Sequence, residues 1–170
     1  MGMQCKFRAT LRNSDKLFII TVKNLISYWN VAGSLMGWNI TDSEELEEAI
    51  FKLKLKLVQR IGVHRGMGVE RALDMGCGQG GFTASLALTV GKKGKVFAVD
   101  VSDEYLAEFM DRLNKHGVKN TVTFIQADAV NLKDVLSDES ADVVASYRFL
   151  EELKQPKAMA GICQRDGSNS

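Results

Sequence analysis

Four glycines and three carboxylates in this chain have the types and spacing to hold a ligand. The run Asp74-Met75-Gly76-Cys77-Gly78-Gln79-Gly80-Gly81 follows Glu70-Arg71-Ala72-Leu73, which reads as the start of a short buried strand over 70–75, and precedes Phe82-Thr83-Ala84-Ser85-Leu86-Ala87-Leu88, which reads as a helix. Glycines in a strand-to-helix turn let the backbone approach a ligand closely and leave the first helical amides free to donate. Downstream, Asp100 closes the buried run Lys95-Val96-Phe97-Ala98-Val99, and Asp128 follows Val122-Thr123-Phe124-Ile125-Gln126 by two residues. A single carboxylate at a strand end is ordinary surface polarity. Three at successive strand ends beside a glycine turn point to a cofactor site.

Two kinds of cofactor fit that turn. Gly76, Gly78 and Gly81 satisfy the G-x-G-x-x-G dinucleotide pattern, and Asp100 lies about twenty residues on, where a ribose-binding acid is expected. Asp74 weighs against a dinucleotide, because its charge two residues before Gly76 would repel a pyrophosphate. A ligand carrying an ammonium group would instead be attracted. A nicotinamide site also has no general need for an acid after the third strand.

The elements that must position these residues alternate strand and helix. After the turn come strand 95–100, helix 104–115 with Ser102 as its N-cap, strand 122–126, a short helix 131–136, strand 141–146 and a helix 149–162 started or kinked by Pro156. Such alternation, with strands buried on both faces, specifies an α/β fold with a doubly wound, mainly parallel sheet. Before the turn, Thr41-Asp42-Ser43-Glu44 is a capping box for an amphipathic helix over 42–60. Its lysines, Lys52, Lys54 and Lys56, read as solvated faces and snorkelling stems rather than a basic patch. Residues 5–11 and 16–22 suggest a hairpin, with 16–26 equally readable as helix. Tyr28, Trp29 and Trp38 form an aromatic cluster that packs on the core or lids the pocket. The division is therefore an N-terminal segment 1–41, a ligand-binding domain 42–163 and a polar tail 164–170.

Bulk properties narrow the setting. The chain has 170 residues, 45% hydrophobic and 25% charged, with a net charge of +1. That is one soluble globular domain without the basic surface of a dedicated nucleic-acid binder. Cys5, Cys77 and Cys163 are odd in number, far apart and fit no metal spacing, so reduced thiols and a cytoplasmic location are expected. The apolar run 17–22 is too short to cross a membrane.

Read together, these motifs resemble class I S-adenosylmethionine-dependent methyltransferases, over residues 68–162. Asp74-Met75-Gly76-Cys77-Gly78-Gln79-Gly80 is similar to their D-x-G-x-G-x-G motif, and Val99-Asp100-Val101-Ser102 to their second. Gln126-Ala127-Asp128-Ala129 is similar to the third, and Ala141-Asp142-Val143-Val144-Ala145-Ser146 to the fourth strand. The resemblance implies S-adenosyl-L-methionine as cofactor. Asp74, Met75, Gly76, Cys77, Gly78 and Gly80 would then surround its methionine portion, with Asp74 near the ammonium. Asp100 would accept the ribose hydroxyls and Val101 would cover the adenine. Asp128 and the Ala129 amide would read the edge of the base. Ser146 and Tyr147 would sit where the methyl group meets its acceptor, with Arg148 available to an acidic group on the acceptor. From the aromatic cluster, Tyr28 or Trp29 would lid the pocket with a ring face toward the cation. No N-P-P-Y, D-P-P-Y or Pro-Cys sequence occurs, which leaves a small-molecule acceptor. The family pattern continues with further strands. The chain therefore reads as the cofactor half of the fold, truncated after the fourth strand. That strand is left at an edge that the N-terminal segment or a second copy in a homo-oligomer would cover. A module that binds the cofactor or its product without turnover is the alternative, and a nicotinamide-dependent oxidoreductase a more distant one.

Overall fold

A computed structural model of the chain describes residues 6–7, 43–60, 63, 71–137, 140–149 and 164–165. The expected hairpin, the aromatic cluster with Tyr28, Thr41 of the capping box and the helix 149–162 beyond its first residue lie outside them. In chain order the elements are β1 (Lys6–Phe7), α1 (Ser43–Arg60), β2 (Arg71–Met75), α2 (Gly81–Val90), β3 (Lys95–Asp100), α3 (Leu106–Lys115), β4 (Val122–Gln126), β5 (Val143–Ser146) and β6 (Gln164–Arg165).

Four strands form one parallel sheet in the order β4-β3-β2-β5. The chain builds outward from β2 through β3 to β4, then returns to the other side of β2 with β5. The order therefore reverses between β2 and β5, which is where open α/β sheets bind ligands. Asp74 stands in register with Ala98 and Ala145, and Met75 with Val99 and Ser146. Among the described residues β5 is an edge of this sheet, as the sequence implied. β1 and β6 pair in parallel as a separate two-stranded sheet, so Gln164 and Arg165 are strand residues where a frayed tail was expected.

Strand alternation divides the interior into two cores. Ala72, Val96, Ala98, Val143 and Ala145 face the helices, against Val58 of α1, Phe82 and Leu86 of α2, and Phe109 and Leu113 of α3. Leu73, Met75, Val99 and Val144 face the opposite way, against Ala129, Leu132 and Ala141. Boundaries differ from expectation in several places; β5 begins at Val143 where a strand over 141–146 was expected. The α3 N-cap is Tyr105, because a turn closed by Leu106 N donating to Asp103 O (3.0 Å) delays the helix; Ser102 Oγ instead accepts from Glu104 N at 3.1 Å. The segment after β4 is a 3-10 stretch, Ala129–Asp134, broken at Asn131 (φ −120°), rather than an α-helix over 131–136. Among the described residues no helix is long and apolar enough to cross a membrane.

The exit from β5 reverses a face. Tyr147 continues the helix-side row of Val143 and Ala145 and stacks on Phe82 (centroids 5.4 Å apart). In a regular strand Phe149 would follow it. Arg148 instead adopts a left-handed backbone (φ 60°), which turns Phe149 onto the opposite core and against the bare Cα of Gly76. For a residue with a Cβ that conformation costs about 1–2 kcal/mol.

The α2 N-cap, Gly80, explains why the turn needs glycine. Its φ is 78°, and a Cβ there would come within 2.6 Å of the Phe109 ring. Gly80→Ala should therefore lower the denaturant midpoint by the equivalent of about 1–3 kcal/mol, the usual cost of overpacking. An unchanged midpoint in guanidinium unfolding would mean that the turn is not locked as described.

Candidate functional site

Three strand ends and one turn build the site. At the end of β2, Asp74 points to the helix side and is only 1% exposed. Thr83, in the first turn of α2, donates its hydroxyl to Asp74 Oδ2 at 2.6 Å, while Oδ1 is buried with no hydrogen-bond partner. Burial pushes the Asp74 carboxyl up to about 7, and the Asp100 charge adds to this. The Thr83 hydrogen bond and the Lys54 ammonium pull the other way. The turn itself folds back on β3: Gly76 N and Cys77 N both donate to Val99 O, at 2.8 and 3.1 Å, and Gly80 N donates to Cys77 O at 2.9 Å. Gly76, Gly78 and Gly80 all have positive φ (72°, 46° and 78°). That is the conformation glycine adopts without strain.

Asp100, at the end of β3, is held on both sides. Gly78 N donates to Oδ2 at 2.9 Å and Ser102 N to Oδ1 at 3.2 Å. Two backbone amides fix the carboxylate plane, and each oxygen keeps a lone pair for a hydroxyl donor. Val101 beside it is 67% exposed, and Tyr105 is also exposed, so an apolar surface lies open at the strand end. Ala127 N donates to Asp100 O (2.9 Å), which ties the loop carrying Asp128 to β3. Asp128 is exposed and its carbonyl accepts from Asn131 N, while Ala129 is buried. At the end of β5, Ser146 is 1% exposed with Oγ unpartnered.

The structure thus gathers Asp74, Met75, Gly76, Cys77, Gly78, Gly80, Asp100, Val101 and Ser146 around the carboxyl ends of three adjacent strands. Asp128 and Ala129 stand beyond β4. Tyr147 and Arg148 follow β5, with Tyr147 half-buried in the helix-side core and Arg148 exposed. Tyr28 lies outside the described residues. Cys77 is buried, and burial together with the Asp74 and Asp100 charges raises its thiol pKa, so it is a protonated wall of the turn and no nucleophile. Among the described residues no cluster of His, Cys, Asp and Glu could hold a metal ion.

Two contributors escaped the sequence reading. Thr83 holds Asp74. Lys54, read as solvated, is largely buried: its Nζ lies 5.1 Å from the Tyr147 ring centroid. Lys52 and Lys56 are exposed, as expected. The signal was present in the helical rows, since Ile50, Lys54 and Val58 follow one another at four-residue steps on the inner face. A cavity of about 200 Å³ adjoins the outer side of the turn, between α1 and α3, and includes Lys54, Gln79, Gly81 and Arg112 in its walls.

Comparison with known proteins gives a consistent result. The family model described as "Methyltransferase domain" matches residues 72–165, more than half of the chain. The ubiquinone/menaquinone biosynthesis C-methyltransferase of Azotobacter vinelandii is 37% identical over 87 residues, which are 51% of this chain and 32% of that protein. Its counterpart from Idiomarina loihiensis is 37% identical over 83 residues, 49% of this chain and 31% of that one. The matched region therefore spans about a third of the length of these relatives. Among solved structures, a SAM-dependent methyltransferase from Aquifex aeolicus aligns with TM-score 0.50 and 25% identity over 73% of this chain and 69% of that one. A cyclopropane-fatty-acyl-phospholipid synthase-like protein from Lactobacillus casei shares the fold, with TM-score 0.61 and 23% identity over 71% of this chain and 45% of that one.

The buried acid makes the site's pH response testable. A carboxyl raised in the folded state stabilises the fold most below its ordinary pKa, and that contribution is lost as pH rises through about 7. Asp74→Asn should therefore gain on the wild type between pH 4 and 8, by up to a few kcal/mol. His116, whose pKa burial lowers, runs in the opposite direction in both proteins and cancels in the comparison. Denaturant unfolding of the two proteins across that range checks this, and parallel pH profiles would contradict the burial of an ionisable Asp74.

Proposed function

The chain belongs to the methyltransferase-domain family, and we propose that it binds S-adenosyl-L-methionine across the ends of β3, β2 and β5 and transfers its methyl group to a small-molecule acceptor. One observation carries this reading. Two buried polar atoms without partners end neighbouring strands beside a turn of positive-φ glycines, Asp74 Oδ1 on the helix side of the sheet and Ser146 Oγ on the opposite side. Buried polar groups are ordinarily satisfied, so such a pair fits a ligand with its own donors.

The cofactor supplies an electrophilic methyl on a sulfonium; the chain supplies position. Asp100, its plane fixed by Gly78 and Ser102, accepts the two ribose hydroxyls. Val101 covers one face of the adenine, Asp128 accepts from its exocyclic amine, and the Ala129 amide meets a ring nitrogen. Asp74 acts from beneath the turn: buried against α2, it sets the negative potential felt by an ammonium above Gly76. Met75, Cys77, Gly78 and Gly80 shape the wall of the turn. Ser146 and Tyr147 line the side from which the acceptor approaches, with Arg148 at its rim. Methyl transfer asks for in-line alignment more than for acid–base power, which is why positioning groups suffice. The names of the curated relatives, biosynthetic C-methyltransferases, support a small-molecule acceptor.

Label transferred from methyl-labelled cofactor to a small-molecule pool tests turnover, while binding without transfer would select a non-catalytic binding module. For the site, Asp100→Ala should raise the dissociation constant of S-adenosylhomocysteine at least about tenfold, the loss of one charge-assisted hydrogen bond or more. An unchanged constant in calorimetry would remove Asp100 from the site.

A further inference from the structure

Lys54 occupies a place on α1 where packing alone would put an apolar side chain. It stands between Ile50 and the fully buried Val58 on the inner row of the helix. Its ammonium reaches the first residue of α2, where Nζ is 2.6 Å from the place a Gly81 Cβ would take, and it lies over the Tyr147 ring. The surroundings do not favour a charge. Burial disfavours the ammonium, the Arg112 and Arg148 guanidiniums oppose it, and the start of α2 presents the positive end of a helix dipole. Asp74 and Glu47 attract it. Among the described residues, however, no carboxylate forms an ion pair with Lys54, and Glu47 is engaged with Arg112 at 3.7 Å. A largely buried ammonium is expensive unless an anion meets it.

The strand order says which anion could. A ligand whose ribose sits on Asp100 at the end of β3, and which crosses the turn after β2, has its other end beside β5. There Tyr147 and Lys54 stand. We propose that Lys54 receives the carboxylate of the cofactor's amino-acid portion and so determines specificity for a ligand that carries both an ammonium and a carboxylate. Asp74 and Lys54, one at the end of the central strand and one on the helix packed over it, would then answer the two opposite charges of one amino acid. This rests on the cofactor reading above.

The test is a comparison of two ligands by calorimetry: S-adenosylhomocysteine and its decarboxylated analogue, which lacks only the carboxylate. The wild-type chain should bind the former at least about tenfold more tightly. Lys54→Met should abolish that preference by weakening S-adenosylhomocysteine alone, and Lys54→Arg, which keeps a cation on a similar stem, should retain it. Equal weakening of both ligands by Lys54→Met, or a wild-type chain indifferent to the carboxylate, would overturn the assignment while leaving the cofactor reading intact. A wild-type chain that binds neither ligand would overturn both. Should Lys54→Met fail to fold, Lys54→Gln takes its place in the same two-ligand comparison, with the same expected and contrary outcomes.

Discussion

A carboxylate buried at the end of the central strand is the constraint on which the rest of this site depends. Asp74 belongs to the helix-side row of β2, so it must lie beneath α2, and one hydroxyl from Thr83 is all that the helix offers it. Burial in that place holds the acid near neutrality rather than fully ionised. A ligand ammonium near the turn would complete what Thr83 leaves undone. The glycines serve the same end: they let the backbone pass over Asp74 closely enough to hydrogen-bond to β3, and they keep Cβ atoms out of the space that Phe109 and Phe149 fill.

The sheet order distributes the remaining chemistry. β3 brings Asp100 to one side of the turn, clamped by two amides. β5 brings Ser146 and Tyr147 to the other. On the proposed reading an elongated ligand would lie between them, with Asp100 at its ribose end and Lys54 at the other. The strained Arg148 belongs to this arrangement, since its left-handed turn sends Tyr147 and Phe149 to opposite faces and closes both cores at the rim of the site.

Much of this was legible from residue types. Short β-leaning runs marked the strands, and their alternation with helical patterns gave a parallel sheet. The glycine turn and Asp100 were expected at the ends of adjacent strands, and the structure brings them together there. What was not legible has physical causes. Asp74 was expected near a ligand's ammonium group; that strand alternation sets it on the helix side with Ala72, where the Thr83 hydroxyl meets it, was not read from the spacing. The lysines of α1 alternate with leucines and so look solvated at a period of two, whereas at the helical period Lys54 falls in line with Ile50 and Val58. Ser102 has the chemistry of an N-cap but is spent on a turn that precedes the helix. Nothing in an arginine announces a left-handed backbone, so the reversal after β5 is visible only in the folded chain.

The central claim is that the turn after β2 takes a sulfonium cofactor rather than a dinucleotide. Calorimetric titration of the chain with S-adenosylhomocysteine, with NADH run in parallel, addresses it most directly. The account predicts saturable binding of S-adenosylhomocysteine alone. Binding of NADH in its place would show that the buried Asp74 tolerates a pyrophosphate after all, and would contradict it.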